Sequence, residues 1–234
     1  MKTLIIIPTY NEKDNIASLA QSIFKYHPDV SVLVVDDNSP DGTAEVVEEL
    51  QSKFPRLALH QRLNDKGFGK SYIDGFKKVI SDDEYEIIVM MDADFSHDHR
   101  EVPEMVKKIS KCDAVIGSRY TRGGRVENWN WRRRLLSRFA NLYVRIILGV
   151  PVKDMTTGFI CFRKSVLKKI DLDLIGSEGY AFLVKFKFRI FKAGFKMIEH
   201  PIVFNERREG QSKMSFKNIR EAICLPWKLK FSKK

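Results

Sequence analysis

A chain of 234 residues has room for one large domain or two small ones, and 44% hydrophobic with 30% charged residues is the composition of a soluble globular protein. With 13 Gly and 8 Pro it is neither collagen-like nor disordered. Lys and Arg number 41 against 30 Asp and Glu, and the resulting +11 favours anionic partners: nucleic acid, lipid headgroups or phosphorylated substrates.

The first apolar run, 4–7 ahead of Pro8, is far shorter than the roughly 7–15 residue apolar core of a signal peptide. No run approaches the roughly 18 apolar residues that span a bilayer, so any membrane contact is expected to be peripheral. Short β-branched runs at 3–7, 31–35, 86–91 and 114–116 read as buried strands, and 14–25, 43–52 and 68–80 have helical periodicity. This β-α-β-α order predicts an α/β domain with a mostly parallel sheet and right-handed crossovers. Cys112, Cys161 and Cys224 are odd in number and lack C-x-x-C spacing, which argues against a disulfide scaffold or structural zinc and fits a reducing cytoplasm.

Ligands of such sheets bind beyond the carboxyl ends of the strands. Polar clusters follow all four runs: Pro8-Thr9-Tyr10-Asn11-Glu12, Asp36-Asp37-Asn38-Ser39-Pro40-Asp41-Gly42-Thr43, Asp92-Ala93-Asp94 and Gly117-Ser118-Arg119-Tyr120. If the strands are adjacent and parallel, these clusters form one acidic crevice with a neighbouring arginine. Past Arg119 the texture changes. Residues 121–134 read as a loop rich in Gly, Asn, Trp and Arg, and 135–148 as an apolar helix with a narrow polar stripe of Arg138, Asn141 and Arg145. Burial in the core is the first reading of that helix, and contact with lipid the second. Periodicity leaves 180–192 open between helix and strand, and 214–234 forms a basic amphipathic segment containing Trp227.

Asp92 and Asp94 carry the sharpest chemistry. In extended chain, carboxylates two residues apart point the same way, and hard oxygen ligands suit Mg2+ or Mn2+ bridging a diphosphate. Solvated aspartates after a strand are the plain alternative. Asp36-Asp37 suits nucleobase or ribose recognition, whereas Asp41 reads as the cap of the helix starting near Thr43. Gly67-Phe68-Gly69-Lys70 lacks the spacing of a phosphate-cradling P-loop. His97 and His99 read as exposed loop residues rather than zinc ligands. The basic runs Arg132-Arg133-Arg134 and Arg207-Arg208, with Lys213, could be solvated faces, a nucleic-acid patch or a phosphate clamp. A nucleic-acid-binding module would account for the charge but leaves the acidic strand ends unexplained.

Together with Arg133-x-x-x-Ser137, Asp154-x-x-x-Gly158-Phe159 and Arg207-x-x-Gly210-x-Ser212-Lys213, these clusters resemble the inverting family 2 glycosyltransferases and, within them, the polyprenyl-phosphate (dolichyl-phosphate) mannosyltransferase branch. The resemblance covers 1–213, which it implies is a single catalytic domain of Rossmann-like GT-A type, with 214–234 as an appended segment. It further implies that Pro8, Tyr10, Glu12, Val35 and Asp37 hold the nucleoside of GDP-mannose. Asp92, Ala93 and Asp94 then match the metal and diphosphate site, with Mg2+ or Mn2+ on Asp92 and Asp94. Arg119, Arg133, Ser137, Arg207 and Lys213 match positions facing the donor diphosphate or the acceptor phosphate. Ser96 replaces the glutamine of many relatives, and Leu183 and Lys185 replace a usual Gln and Glu. The implied partners are a polyprenyl or dolichyl phosphate and a membrane surface met from its cytoplasmic side, without nucleic acid. A hydrophobic partner protein is the alternative anchor, because the membrane-spanning segments of many relatives are not expected in this sequence.

Overall fold

The computed structural model describes residues 1–175, 179–205 and 216–232. In chain order its elements are β1 (Thr3–Thr9), α1 (Lys13–Tyr26), β2 (Ser31–Asp36), α2 (Thr43–Gln51), β3 (Leu57–Gln61), α3 (Phe68–Ile80), β4 (Ile87–Met90), α4 (Val102–Lys108), β5 (Ala114–Ser118), β6 (Arg125–Val126), α5 (Trp131–Leu148), β7 (Ile160–Arg163), α6 (Gly179–Lys192), β8 (Met197–Pro201), β9 (Val203–Phe204) and α7 (Phe216–Phe231). Seven strands form one sheet in the order β3-β2-β1-β4-β7-β5-β8, and β6 pairs with β9 in a small parallel ribbon.

All pairings in the large sheet are parallel except those of β7, which runs antiparallel between β4 and β5. The expectation that the strands bearing Asp92 and Arg119 lie side by side is therefore corrected. Their carboxyl ends still share one edge, and the chain entering β7 arrives at that edge. Gly117 makes this close fit possible, since its N–H donates to Phe159 O at 2.8 Å and a Cβ there would stand 3.0 Å from the Phe159 ring.

Strand residues alternate between two cores, as a sheet covered on both faces requires. Ile5, Ile7, Val32, Val34 and Val89 pack with Ile16 and Leu19 of α1, Val47 of α2 and Met105 of α4. Ile6, Leu33, Val35, Ile88 and Met90 pack with α3 and α6. There Tyr72 stacks on Phe182 with 5.6 Å between centroids, and Phe76 on Phe186 with 5.3 Å. Residues 180–192 are therefore helix and not strand.

α5 breaks the usual pattern. It begins at Trp131, so the arginine run 132–134 lies in its first turn and not in a loop; Asn130 caps it by accepting the Arg133 N–H at 2.9 Å. The reading of 135–148 as a helix mostly sunk in the core holds only toward its C-terminal end, where Val144, Ile147 and Leu148 are buried. Leu135, Phe139 and Ile146 are 61%, 65% and 68% exposed, whereas Asn141 is buried. α7 lies alongside: Tyr143 donates its hydroxyl to Ile223 O at 2.9 Å and accepts the Trp227 indole N–H at 2.9 Å. Ile223, Trp227 and Phe231 are exposed too. Among the described residues no helix is long and apolar enough to cross a membrane.

Candidate active site

The carboxyl ends of β1 and β2 supply one wall. Asp36 is fully buried and serves the fold: its carboxylate accepts the Thr9 hydroxyl at 2.8 Å, the Ser39 hydroxyl at 2.6 Å and the Ser39 N–H at 2.9 Å. Asp37 is held from the other side. It accepts the Ser71 hydroxyl at 2.8 Å, the Gly67 N–H at 2.7 Å and a hydrogen bond from Arg62, which also grips Asp74 at 2.6 Å. Arg62 was not foreseen, because a lone arginine after a short strand carries no sequence signal. It neutralises Asp37 and anchors the Gly67 turn.

Tyr10 lies exposed at this edge with the Lys66 ammonium 4.7 Å from its ring centre. The Glu12 N–H donates to Thr43 Oγ1 at 3.0 Å. Asp41 bridges the starts of α1 and α2, accepting the N–H of Lys13 at 3.1 Å and of Thr43 at 3.0 Å; the cap position of α2 itself is Gly42, so Asp41 serves the helix from one residue earlier than expected. Pro8 is half-buried and pairs in register with Val35, whose side chain is wholly in the core beneath Gly75 of α3.

β4 closes at Met90, and the chain turns through Asp92–His97 with Phe95 in the left-handed region at φ 61°. Asp92 and Asp94 therefore lie in and beside a bend beyond the strand and not along an extended strand, a correction to the simple strand picture. Asp94 is buried and accepts the Ser96 N–H at 3.0 Å; Ala93 is buried. Burial, reinforced by the charges of Asp92 and Asp94, pushes the Tyr72 hydroxyl well above its ordinary pKa. It stays a neutral donor to Met91 O at 3.3 Å and braces the turn from below.

His97 and His99 are buried, contrary to the expectation of exposed loop residues. His97 Nδ1 accepts the Asp92 N–H at 3.2 Å, which requires the proton on Nε2, and its ring stacks on Phe159 with 5.1 Å between centroids. His99 meets Ser22 Oγ of α1 at 2.8 Å. Among the described residues no group of three or more His, Cys, Asp or Glu forms a metal cluster.

The acidic turn nonetheless fits a hard divalent cation. The buried Ser96 hydroxyl has no hydrogen-bond partner among the described residues, two positions from Asp94. A Cβ on Gly158 would stand 3.4 Å from Asp92 Oδ1, so the glycine leaves the space before that carboxylate open. Two carboxylates and a hydroxyl are oxygen donors of the kind Mg2+ and Mn2+ take, with other positions left to substrate or water.

Arg119 follows β5 and is buried. Its Nε and Nη2 donate to the two oxygens of Asp154 at 2.7 Å each, its N–H to Asp154 at 3.0 Å, and Nη2 also to Thr156 Oγ1 at 2.7 Å. Burial by itself would raise the Asp154 pKa, but the Arg119 charge and hydrogen bonds hold it below the ordinary carboxylate value. Rings of Tyr120, Trp129 and Phe204 lie 5.2–5.7 Å from the guanidinium. Arg133 covers the Trp129 ring at 4.0 Å, and Ser137 accepts the Tyr120 hydroxyl at 2.6 Å. Asn141 joins this wall: its amide donates to Ser137 O at 2.8 Å and Thr156 Oγ1 at 3.1 Å, and its oxygen accepts the Met155 N–H at 2.7 Å. The structure thus brings Pro8, Tyr10, Glu12, Val35, Asp37, the acid pair, Arg119, Arg133 and Ser137 to one edge. Arg207 and Lys213 lie outside the described residues.

Residues 4–171 match the model of glycosyl transferase family 2. The chain belongs to that family. This glycosyltransferase is 43% identical over 224 residues to a polyprenol monophosphomannose synthase of Mycolicibacterium smegmatis, covering 95% of this chain and 84% of the relative. It is 39% identical to an undecaprenyl-phosphate mannosyltransferase of Micrococcus luteus, over 95% and 91% of the two chains. A dolichol-phosphate mannosyltransferase of Pyrococcus furiosus is 37% identical, with 95% of this chain matching 62% of that longer protein. Among solved structures, glucosyl-3-phosphoglycerate synthase of Mycobacterium tuberculosis, crystallised with Mn2+, UDP-glucose and phosphoglyceric acid, superposes with a TM-score of 0.70 at 15% identity, covering 98% of this chain and 79% of that one. That likeness establishes the fold, the mostly parallel GT-A-like sheet flanked by helices.

Proposed function

We propose that this enzyme transfers mannose from GDP-mannose to a polyprenyl (dolichyl) phosphate, with inversion at the anomeric carbon and dependence on Mg2+ or Mn2+. The observation that carries the reading is α5: its outer face is apolar and exposed, and its inner face is bonded through Ser137 and Asn141 to Tyr120, Met155 and Thr156 beside Arg119. A site that joins a nucleotide shelf to a greasy exposed helix suits a charged donor and a lipid acceptor. The names of the relatives support the same choice.

In this reading Tyr10, Glu12 and Asp37 face the nucleoside, while Pro8, Val35 and Ala93 contribute backbone and shape. Asp92 and Asp94, with Ser96, would hold the cation, whose bound charge offsets that of the departing diphosphate. Arg119 adds fixed positive charge from beneath, where preorganised electrostatics act most strongly, and Arg207 would supply a second cation. The acceptor phosphate, with a second pKa near ~6, is already ionised at neutral pH, so its nucleophile needs no general base. Arg133, Ser137 and Lys213 position it.

The lipid acceptor places the reaction at a bilayer, and the exposed face of α5 with α7 and the arginines of 121–134 seats the enzyme there, peripherally on the cytoplasmic face. A hydrophobic partner protein is the competing anchor. Radiolabel transfer tests the chemistry: GDP-mannose with polyprenyl phosphate gives mannolipid, chelation abolishes it, and UDP-glucose or the dephosphorylated polyprenol gives none. Equal transfer from UDP-glucose, or equal transfer to the alcohol, overturns the reading. Flotation with vesicles tests the seating, and recovery in the soluble fraction with and without anionic lipid counts against it.

A further inference from the structure

α6 buries an ammonium group that the chemistry above leaves unused. Lys187 is fully buried, beside Phe186 in the core shared with α3. An amine so placed is costly unless hydrogen-bonded, and a hydrocarbon side chain would fill the space more cheaply. Its Nζ donates to Met155 O at 2.9 Å and Thr157 O at 2.7 Å. Burial lowers its pKa to about 7, with the Asp154 charge opposing that shift and Arg119 adding to it.

Both carbonyls belong to the segment between α5 and β7 on which the two halves of the site meet. Asp154 orients Arg119 through three hydrogen bonds. Met155 and Thr156 bond Asn141 of α5, and Gly158 leaves open the space in front of Asp92. Five consecutive residues thus fix the arginine, the helix and the floor before the acid, and Lys187 grips them from behind at two points.

We propose that Lys187 is a positioning residue for donor binding: by clamping the carbonyls of Met155 and Thr157 it fixes the direction of Arg119 and the room before Asp92. The proposal rests on the donor reading given above, and goes beyond it in assigning a residue that touches no substrate.

The test compares the wild-type enzyme with K187M, which keeps length and loses both donors, and K187R, which keeps them. The donor KM of K187M rises about tenfold, its acceptor KM stays within about threefold, and K187R recovers most of the donor KM. KM is unaffected by a reduced folded fraction, so simple destabilisation does not mimic this split. Should K187M show no cooperative melt, K187Q takes its place. Amide exchange at Arg119 and Thr157, whose N–H groups both bond Asp154, reads the clamp without any donor. It accelerates in K187M or K187Q and not in K187R. A donor KM within about twofold of wild type, or unchanged exchange at both amides, overturns the proposal. Failure of the wild-type enzyme to use GDP-mannose overturns the donor reading alone, since the exchange result stands apart from it.

Discussion

α3 and α5 feed the same hydrophobic core, α3 through Tyr72, Phe76 and Val79 and α5 through Val144, Ile147 and Leu148, but they differ in what their other faces carry. α3 turns Tyr72, Phe76 and Val79 inward and leaves lysines outside, as a helix covering a core does in water. α5 turns Asn141 inward beside Val144, Ile147 and Leu148, and leaves Leu135, Phe139 and Ile146 outside. The difference lies in what each helix serves. α3 contributes its apolar side chains to the hydrophobic core. α5 adds to its core residues the polar hydrogen bonds of Ser137 and Asn141 beside Arg119, and it carries an exposed apolar surface of the kind that marks an interaction site.

The sharpest break of this contrast is Phe76→Ala, which empties a site among Tyr72, Phe162 and Phe186 and costs about 3–5 kcal/mol in urea unfolding. Asn141→Ala comes next: it strips the buried Met155 N–H of its acceptor and costs about 1–3 kcal/mol, with loss of transfer activity beyond that expected from the folded fraction. Lys187 sharpens the polar side of the comparison through pH. Unfolded, it keeps its proton to about 10.4; folded, it loses it near pH 7, so between those values the unfolded state binds more protons and stability rises with pH. The difference in unfolding free energy between wild type and K187M therefore shifts in favour of wild type from pH 7 to 10, with a slope of at most about 1.4 kcal/mol per pH unit. Smallest in stability is Phe139→Ser, within about 0.5 kcal/mol of wild type, because that ring is already exposed. Its effect appears in flotation, where less protein rises with anionic vesicles.

Much of this architecture is legible in the residues themselves. Near-continuous β-branched runs mark β1, β2, β4 and β5, since a strand covered on both faces has no polar side to show. The polar clusters beyond them mark the site edge. β7 is not legible: four residues with no alternation say nothing of their partners, and an antiparallel insertion between β4 and β5 is a long-range choice. α5 misleads because apolar content reports that a face avoids water, not whether protein or lipid covers it. Lys185 to Ile190 alternates like a strand, yet as a helix it brings Phe182 and Phe186 onto α3 and carries Lys187 into the interior. Periodicity alone cannot foresee a buried ammonium, because nothing local announces the two carbonyls that receive it.

The placement of β7 also has a consequence for how the polypeptide assembles during synthesis. Strands β3, β2, β1 and β4 are contiguous in the sheet and are all complete by Met90, so this half of the sheet can gather while the ribosome is still translating. β5 has no edge to join until Ile160–Arg163 emerges and bridges it to β4. The arginine that follows β5 therefore reaches its partner Asp154 only after α5 has been made, and a nascent chain halted before β7 would hold half of the sheet with the apolar face of α5 already exposed.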